Sequence, residues 1–209
     1  MEYIKRNYPA EFRADSESGL IIGVPIVFDT PTDIGGLFQE TICAGAVRES
    51  VLKNDVGFYF NHDLNSKKIA RSVIPIDRHG GMEFEIGKKE VTVRINANRK
   101  RTDVNDLYLG IEDGVIDGMS FMFGVAEERW EDENTDYPKR FITRIEPIIE
   151  VSAVNYPAYK STSISVARGD LLTENDKAVI GKLQERRRAA AGTEAKKITN
   201  KYYYYYGGK

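Results

Sequence analysis

Cysteine is almost missing from this sequence. Cys43 is the only one among 209 residues, so the chain has no internal disulfide and no cysteine-based zinc cluster. Histidine is nearly as scarce, with only His62 and His79, which leaves a thin supply of metal ligands. No run of about 18 apolar residues occurs, so no spanning helix is expected. The first residues, Met1-Glu2-Tyr3-Ile4-Lys5-Arg6, lack the apolar core of a secretion signal. Internal repeats are absent. Net charge is low, at −2, but unevenly placed. From Thr173 onward there are nine Lys and Arg against four Asp and Glu, a balance of +5. The preceding chain holds 21 basic and 28 acidic residues, a balance of −7. An acidic body with a basic end predicts that the end addresses a partner, against the plainer reading of a solvated helix.

What is present fits a globular domain with a sizeable core: 41% hydrophobic and 30% charged residues. Short apolar runs separated by turn residues dominate. Leu20 to Phe28 reads as a strand with a bulge or bend at Gly23 and Pro25. Phe38–Ile42, Val56–Phe60, Ile69–Ile76, Met82–Ile86, Val91–Ala97, Met119–Val125, Arg140–Ile145, Ile148–Val154 and Ser163–Ala167 read as further strands. Tyr3–Ala14 reads as an edge strand. Glu127–Lys139 is acidic and polar, and is expected to be a loop or hairpin tip. Asn155-Tyr156-Pro157-Ala158 reads as a turn.

Helical spacing appears over Ala44–Asn54, and over Val104–Glu112 with Asp103 as its cap. A third helix is expected from Thr173, its cap, to about Ala191, followed by a low-complexity, Tyr-rich end. The pattern predicts a β-rich α+β fold: a closed or nearly closed β-barrel flanked by helices, with a C-terminal helix and tail. The division expected is a domain over 1–172 and a basic segment over 173–209.

Chemistry centres on Asp117-Gly118-Met119-Ser120-Phe121-Met122-Phe123-Gly124. A hydroxyl follows a flexible glycine and opens an apolar strand, one way of presenting a nucleophile. The plain alternative is a turn serine. Ser120 needs a base, and His62, at the end of the apolar run Val56–Phe60, suits that work because histidine titrates near neutrality. Its plain alternative is a loop residue bonded to Asp63. His79 sits in an exposed turn beside Gly80 and Gly81.

A third, acidic group would orient the imidazole, and Glu150, Asp63 and Asp77 are the candidates. Glu150 stands out because it interrupts Ile148-Ile149-Glu150-Val151-Ser152-Ala153-Val154. If buried there, it needs a partner; otherwise Glu150 and Ser152 share a solvated strand face. Asp63 ranks lower, since neighbours on an extended chain point apart. Donors for an oxyanion are either backbone N–H groups or an arginine.

Four segments in order carry a resemblance: Ile42-Cys43-Ala44-Gly45-Ala46-Val47; Asn61-His62-Asp63; Gly114 to Phe123; and Glu150-Val151-Ser152-Ala153-Val154-Asn155-Tyr156-Pro157-Ala158. Over Leu20 to Ala167 the chain resembles the tailed-phage prohead (capsid maturation) protease family, which is related in fold to herpesvirus assemblin. It departs from the family at Met122, often Gly there, and at Val47, commonly Phe. The resemblance implies a serine endopeptidase with His62, Ser120 and Glu150 as its triad, in a barrel with surrounding helices, without metal or cofactor. It implies action inside the procapsid in the host cytoplasm, on the scaffold segment of the capsid protein and on the protease itself. A homo-oligomer is left open, no membrane is involved, and the acidic body disfavours nucleic acid. Two rivals remain: a catalytically inactive scaffold- or capsid-interaction protein with the same barrel, and a metal-dependent hydrolase using His62, Asp63 and Glu150.

Overall fold

The computed structural model describes residues 3–7, 11–34, 36–155 and 177–189. Among them are eleven strands and three helices. In chain order the strands are β1 (Ile4–Asn7), β2 (Phe12–Asp15), β3 (Leu20–Val27), β4 (Thr32–Ile34), β5 (Phe38–Ile42), β6 (Gly57–Phe60), β7 (Ala70–Arg71), β8 (Gly81–Ile86), β9 (Glu90–Asn96), β10 (Gly118–Glu131) and β11 (Lys139–Val154). The helices are α1 (Glu49–Leu52), α2 (Thr102–Glu112) and α3 (residues 177–189). The strands form one sheet whose hydrogen-bonded path runs β1-β10-β11-β6-β7-β8-β9-β3-β2, with β5 on β11 and β4 on β5.

The sheet curls into a half-barrel. β3, near one end of the path, packs back on β10, near the other. Gly23 permits the approach: a Cβ there would lie 2.7 Å from Met119 Sδ and 2.8 Å from the Phe12 ring. The expected irregularity of this strand is a register shift between Gly23 and Ile26. Among the described residues no ladder joins β1 to β2.

Alternation sorts the side chains. On β10 and β11, Met119, Phe121, Phe123, Val151 and Ala153 enter the main core with Phe58. Phe121 and Phe123 stack at 4.4 Å between ring centroids. Ser120, Glu150 and Ser152 lie between these core residues and therefore face the other way. α2 buries Val104, Leu107, Tyr108 and Ile111. A smaller cluster gathers Ile34, Phe38 and Ile180 of α3, with Leu37 and Trp130 against them.

Four expectations need correction. The helix expected over Ala44–Asn54 shrinks to Glu49–Leu52. Gly45 takes φ +83°, and the Ala46 carbonyl accepts from Ile145 N at 2.9 Å, so that stretch is tied to β11 before a helix can start. The strand expected over Ile69–Ile76 is only Ala70–Arg71; turns follow it, and Ser72 N instead bonds Val56 O at 3.0 Å. Arg101, not Asp103, is the N-cap of α2, with no side-chain cap bond. Instead Asp103 pairs with Arg101 at 2.6 Å.

Last, the acidic stretch is strand as far as Glu131 and again at Lys139, with the expected hairpin tip confined to residues 132–138. β10 runs to Glu131, and β11 is one strand from Lys139, where two were expected. Cross-strand partners explain it: Glu127 pairs with Arg144 at 3.0 Å and Glu128 with Arg140 at 2.8 Å. The expected strand Ser163–Ala167, the residues of the expected turn after Asn155, the helix start at Thr173 and the Tyr-rich end lie outside the described residues.

Three buried charges form one cluster. Arg6 on β1 holds Glu40 on β5 through two bonds of 2.6 and 2.9 Å. Arg140 on β11 reaches the same carboxylate at 3.0 Å. Glu40 is 0% exposed, Arg140 1% and Arg6 2%. Burial alone would push the Glu40 carboxyl up, but the two guanidiniums outweigh it and hold it below its ordinary 4.5. A depressed carboxyl stabilises the fold above its unfolded value, and the contribution drains away as pH falls from about 4.5 toward the depressed value.

Glu40→Gln removes the negative charge that two buried guanidiniums share and should destabilise by about 3–5 kcal/mol at pH 7. It should also remove part of the acid dependence below 4.5. Urea unfolding of both proteins at pH 7 and in acid measures this; equal midpoints at pH 7 would show that the cluster does not stabilise the fold.

Candidate active site

β6 is an apolar strand, buried at Gly57, Phe58 and Tyr59, and it runs parallel to the last part of β11. Immediately after it, Asn61 and His62 both take left-handed backbone, φ +52° and +58°. That conformation is costly for residues other than glycine, though Asn and His tolerate it best. Hydrogen bonds fix it here. Asn61 N donates to Ala153 O at 2.8 Å, and Asn61 Oδ1 accepts from Asn155 N at 3.1 Å. His62 N donates to Ser152 Oγ at 3.2 Å. The double left-handed turn swings the His62 side chain back over the sheet.

β10 is aimed by the end of α2. Gly114, at φ +69°, reverses the chain after the helix, as glycine commonly does there. Ile116 N then bonds Gly110 O at 2.9 Å, and the Ile116 side chain fills the space beside Gly110, where a Cβ would lie 2.8 Å from Ile116 Cδ1. β10 starts two residues later, and its register on β11 pairs Ser120 with Ser152 and Met122 with Glu150. On the other side of β11, Glu150 pairs with Gly57 and Ser152 with Tyr59. One strand thus lies between the Ser120 strand and the strand that delivers His62.

The three side chains form a hydrogen-bonded row. His62 Nε2 lies 2.8 Å from Ser120 Oγ, and His62 Nδ1 lies 2.6 Å from Glu150 Oε1. A carboxylate only accepts, so Nδ1 carries the hydrogen toward Glu150 and Nε2 is left to accept from the serine hydroxyl. The second carboxylate oxygen, Oε2, accepts the hydroxyl of Ser152. Glu150 and Ser152 are 0% exposed and Ser120 is 5% exposed, while the His62 side chain is 12% exposed. The alternative of a solvated face for Glu150 and Ser152 is overturned. Ser120 Oγ also lies 3.0 Å from the Arg6 carbonyl of β1. Its single proton therefore has two acceptors.

The structure brings together His62, Ser120 and Glu150, and leaves the other candidates outside. Asp63 is exposed and accepts from Asn65 N at 3.1 Å. Asp77 is exposed. His79 is exposed too, 3.3 Å from Asn96 Oδ1 in a groove shared with Ser18, Arg99 and Lys100. Sequence reasoning missed two contributors. Ser152 had a visible signal, its two-residue spacing from Glu150. The Arg6 carbonyl had none, because a main-chain group leaves no mark in the residue type.

The arrangement can move a proton from a hydroxyl to an imidazole held by a carboxylate, the requirement for a serine nucleophile. Comparison with known proteins agrees with that chemistry. The sequence model of the caudovirus prohead serine proteases matches residues 7–176, a span that contains His62, Ser120 and Glu150. No curated protein and no solved structure matches the chain. By the extent of that match, this chain belongs to the caudovirus prohead serine protease family.

Proposed function

We propose that the chain is a serine endopeptidase of capsid maturation, with Ser120 as nucleophile, His62 as general base and acid, and Glu150 as the group that holds the imidazole. The observation that carries the reading is the row Ser120 Oγ, His62 Nε2, His62 Nδ1, Glu150 Oε1, with steps of 2.8 and 2.6 Å. Ser120 Oγ attacks the scissile carbonyl carbon while its proton passes to His62 Nε2. The tetrahedral intermediate collapses as His62 returns that proton to the departing amine. Water, deprotonated by the same nitrogen, then attacks the acyl carbon, and His62 returns the proton to Ser120 Oγ as the acid departs. Glu150 keeps the hydrogen on Nδ1 and stabilises the imidazolium that forms.

Family membership supports the setting: action within the prohead, in the host cytoplasm, on capsid and scaffold proteins. Cleavage of the scaffold segment of the capsid protein, and of the protease itself, belongs to this proposal. So does a relation in fold to herpesvirus assemblin, which the curled sheet supports. Residues 1–172 are taken as the protease domain and 173–209 as a basic docking segment. Within that segment α3 packs its Ile180 on Ile34 and Phe38, and its Arg187 donates to the Asp136 carbonyl of the β10–β11 hairpin tip at 2.7 Å.

Ser120→Ala and His62→Ala should each remove proteolysis, by roughly six orders of magnitude, and the double variant should be scarcely worse than either. Ser120→Ala should keep the circular dichroism and unfolding midpoint of the parent; His62→Ala should keep the circular dichroism but unfold at a lower midpoint, because it takes the donor from buried Glu150 Oε1. Substantial cleavage by pure Ser120→Ala protein would sink the serine mechanism.

Glu150→Gln should fold, since the amide still offers an oxygen to Nδ1–H, yet lose about 10⁴ in kcat because it cannot stabilise the imidazolium and favours the wrong tautomer. A fully active Glu150→Gln protein beside an inactive Asp63→Asn or Asp77→Asn protein would move the acidic role elsewhere.

A further inference from the structure

We infer that Ser152 is a positioning residue of the catalytic site, acting through Glu150 and His62 rather than on substrate; this rests on the reading of Ser120, His62 and Glu150 as a triad. Its hydroxyl stands at the junction of two contacts. It donates to Glu150 Oε2, and it accepts the backbone N–H of His62 at 3.2 Å. Together with the 2.6 Å bond from His62 Nδ1 to Glu150 Oε1, these contacts close a ring. The ring runs from the His62 backbone through Ser152 and Glu150 to the His62 imidazole, and so back to its own main chain.

The ring matters because of where its members sit. His62 adopts φ +58°, a backbone state that persists only when its surroundings over-determine it. Ser152 supplies the acceptor for the one N–H of that residue. Glu150 is 0% exposed, and an oxygen with no donor at such a site is costly. Ser152, also 0% exposed, gives Oε2 its donor while Oε1 serves the imidazole. Loss of the hydroxyl therefore frees two things at once: rotation of the carboxylate and the turn that aims the imidazole. Alanine would keep the strand, since the ladder bonds of β11 are main-chain bonds and register pairs Ser152 with both Ser120 and Tyr59.

A fluorophosphonate probe tests this on the full chain without a known substrate. Ser120 Oγ bonds to phosphorus, fluoride leaves, and His62 takes the proton, so the maximal labelling rate reads the base. A hydrogen bond to a charged group is worth roughly 1.5–3 kcal/mol, which converts to about a 10- to 150-fold loss in that rate for Ser152→Ala. The half-saturating probe concentration should stay unchanged. Ser152→Thr, which keeps the hydroxyl, should label within about threefold of the parent.

Proton NMR gives a readout free of activity. The low-field Nδ1–H signal of His62 should shift or broaden in Ser152→Ala and return in Ser152→Thr. If Ser152→Ala fails to fold, Ser152→Cys, nearly the same size but a weak donor, should fold and show the same losses. Parental labelling together with a parental His62 signal in the alanine variant overturns the inference, as does equal loss in the alanine and threonine variants. Labelling of Ser120→Ala would instead overturn the triad itself.

Discussion

Everything at this site depends on one constraint: Glu150 is a carboxylate with no access to water. Such a group is tolerated only where donors meet both of its oxygens. The imidazole of His62 meets one and the hydroxyl of Ser152 meets the other. The demand of a buried charge for partners thus orients the residue that needs orienting. It also explains why β11 lies where it does. Glu150 must have β10 on one side, carrying Ser120, and β6 on the other, ending at His62. An acid on an edge strand could not stand between them.

A second buried carboxylate, Glu40, does comparable work for the frame. It ties β1 and β11 to β5 through Arg6 and Arg140. β1 is short and lies at one end of the sheet, so main-chain pairing with β10 alone would hold it weakly. Ile4 in the core and Arg6 in the charge cluster anchor it. That anchoring sets the Arg6 carbonyl beside Ser120 Oγ, so the frame and the site share a residue, one using its side chain and the other its backbone.

Much of this was legible in the residues, for identifiable reasons. Apolar runs such as Val56–Phe60 and Met119–Phe123 announce strands because little else buries so many side chains in so few positions. Glu150 announced a partner because it interrupts such a run. Local readings failed where long-range contacts decide. Ala46, Val47, Val51 and Leu52 have helical spacing, yet all four are buried from a segment that is mostly turn, pinned by Ile145. Glu127 to Glu131 looked like loop because its charges looked solvated. They are partly neutralised across the ladder, and Arg129 lies over the Phe141 ring at 3.9 Å from its centroid. Strand register joins residues as far apart as His62 and Glu150, and no local pattern encodes it.

The position of β11 in the sheet has a consequence in time. His62 and Ser120 are synthesised before residues 139–154, and their strands are not neighbours in the sheet. Until β11 slots between them, the nascent chain holds a serine and a histidine with nothing to bring them together and no acid to hold the ring. On the proposed triad, a chain of this design is born chemically silent. Competence to cut then arrives only with β11, so an unfinished copy poses little danger to the proteins around it.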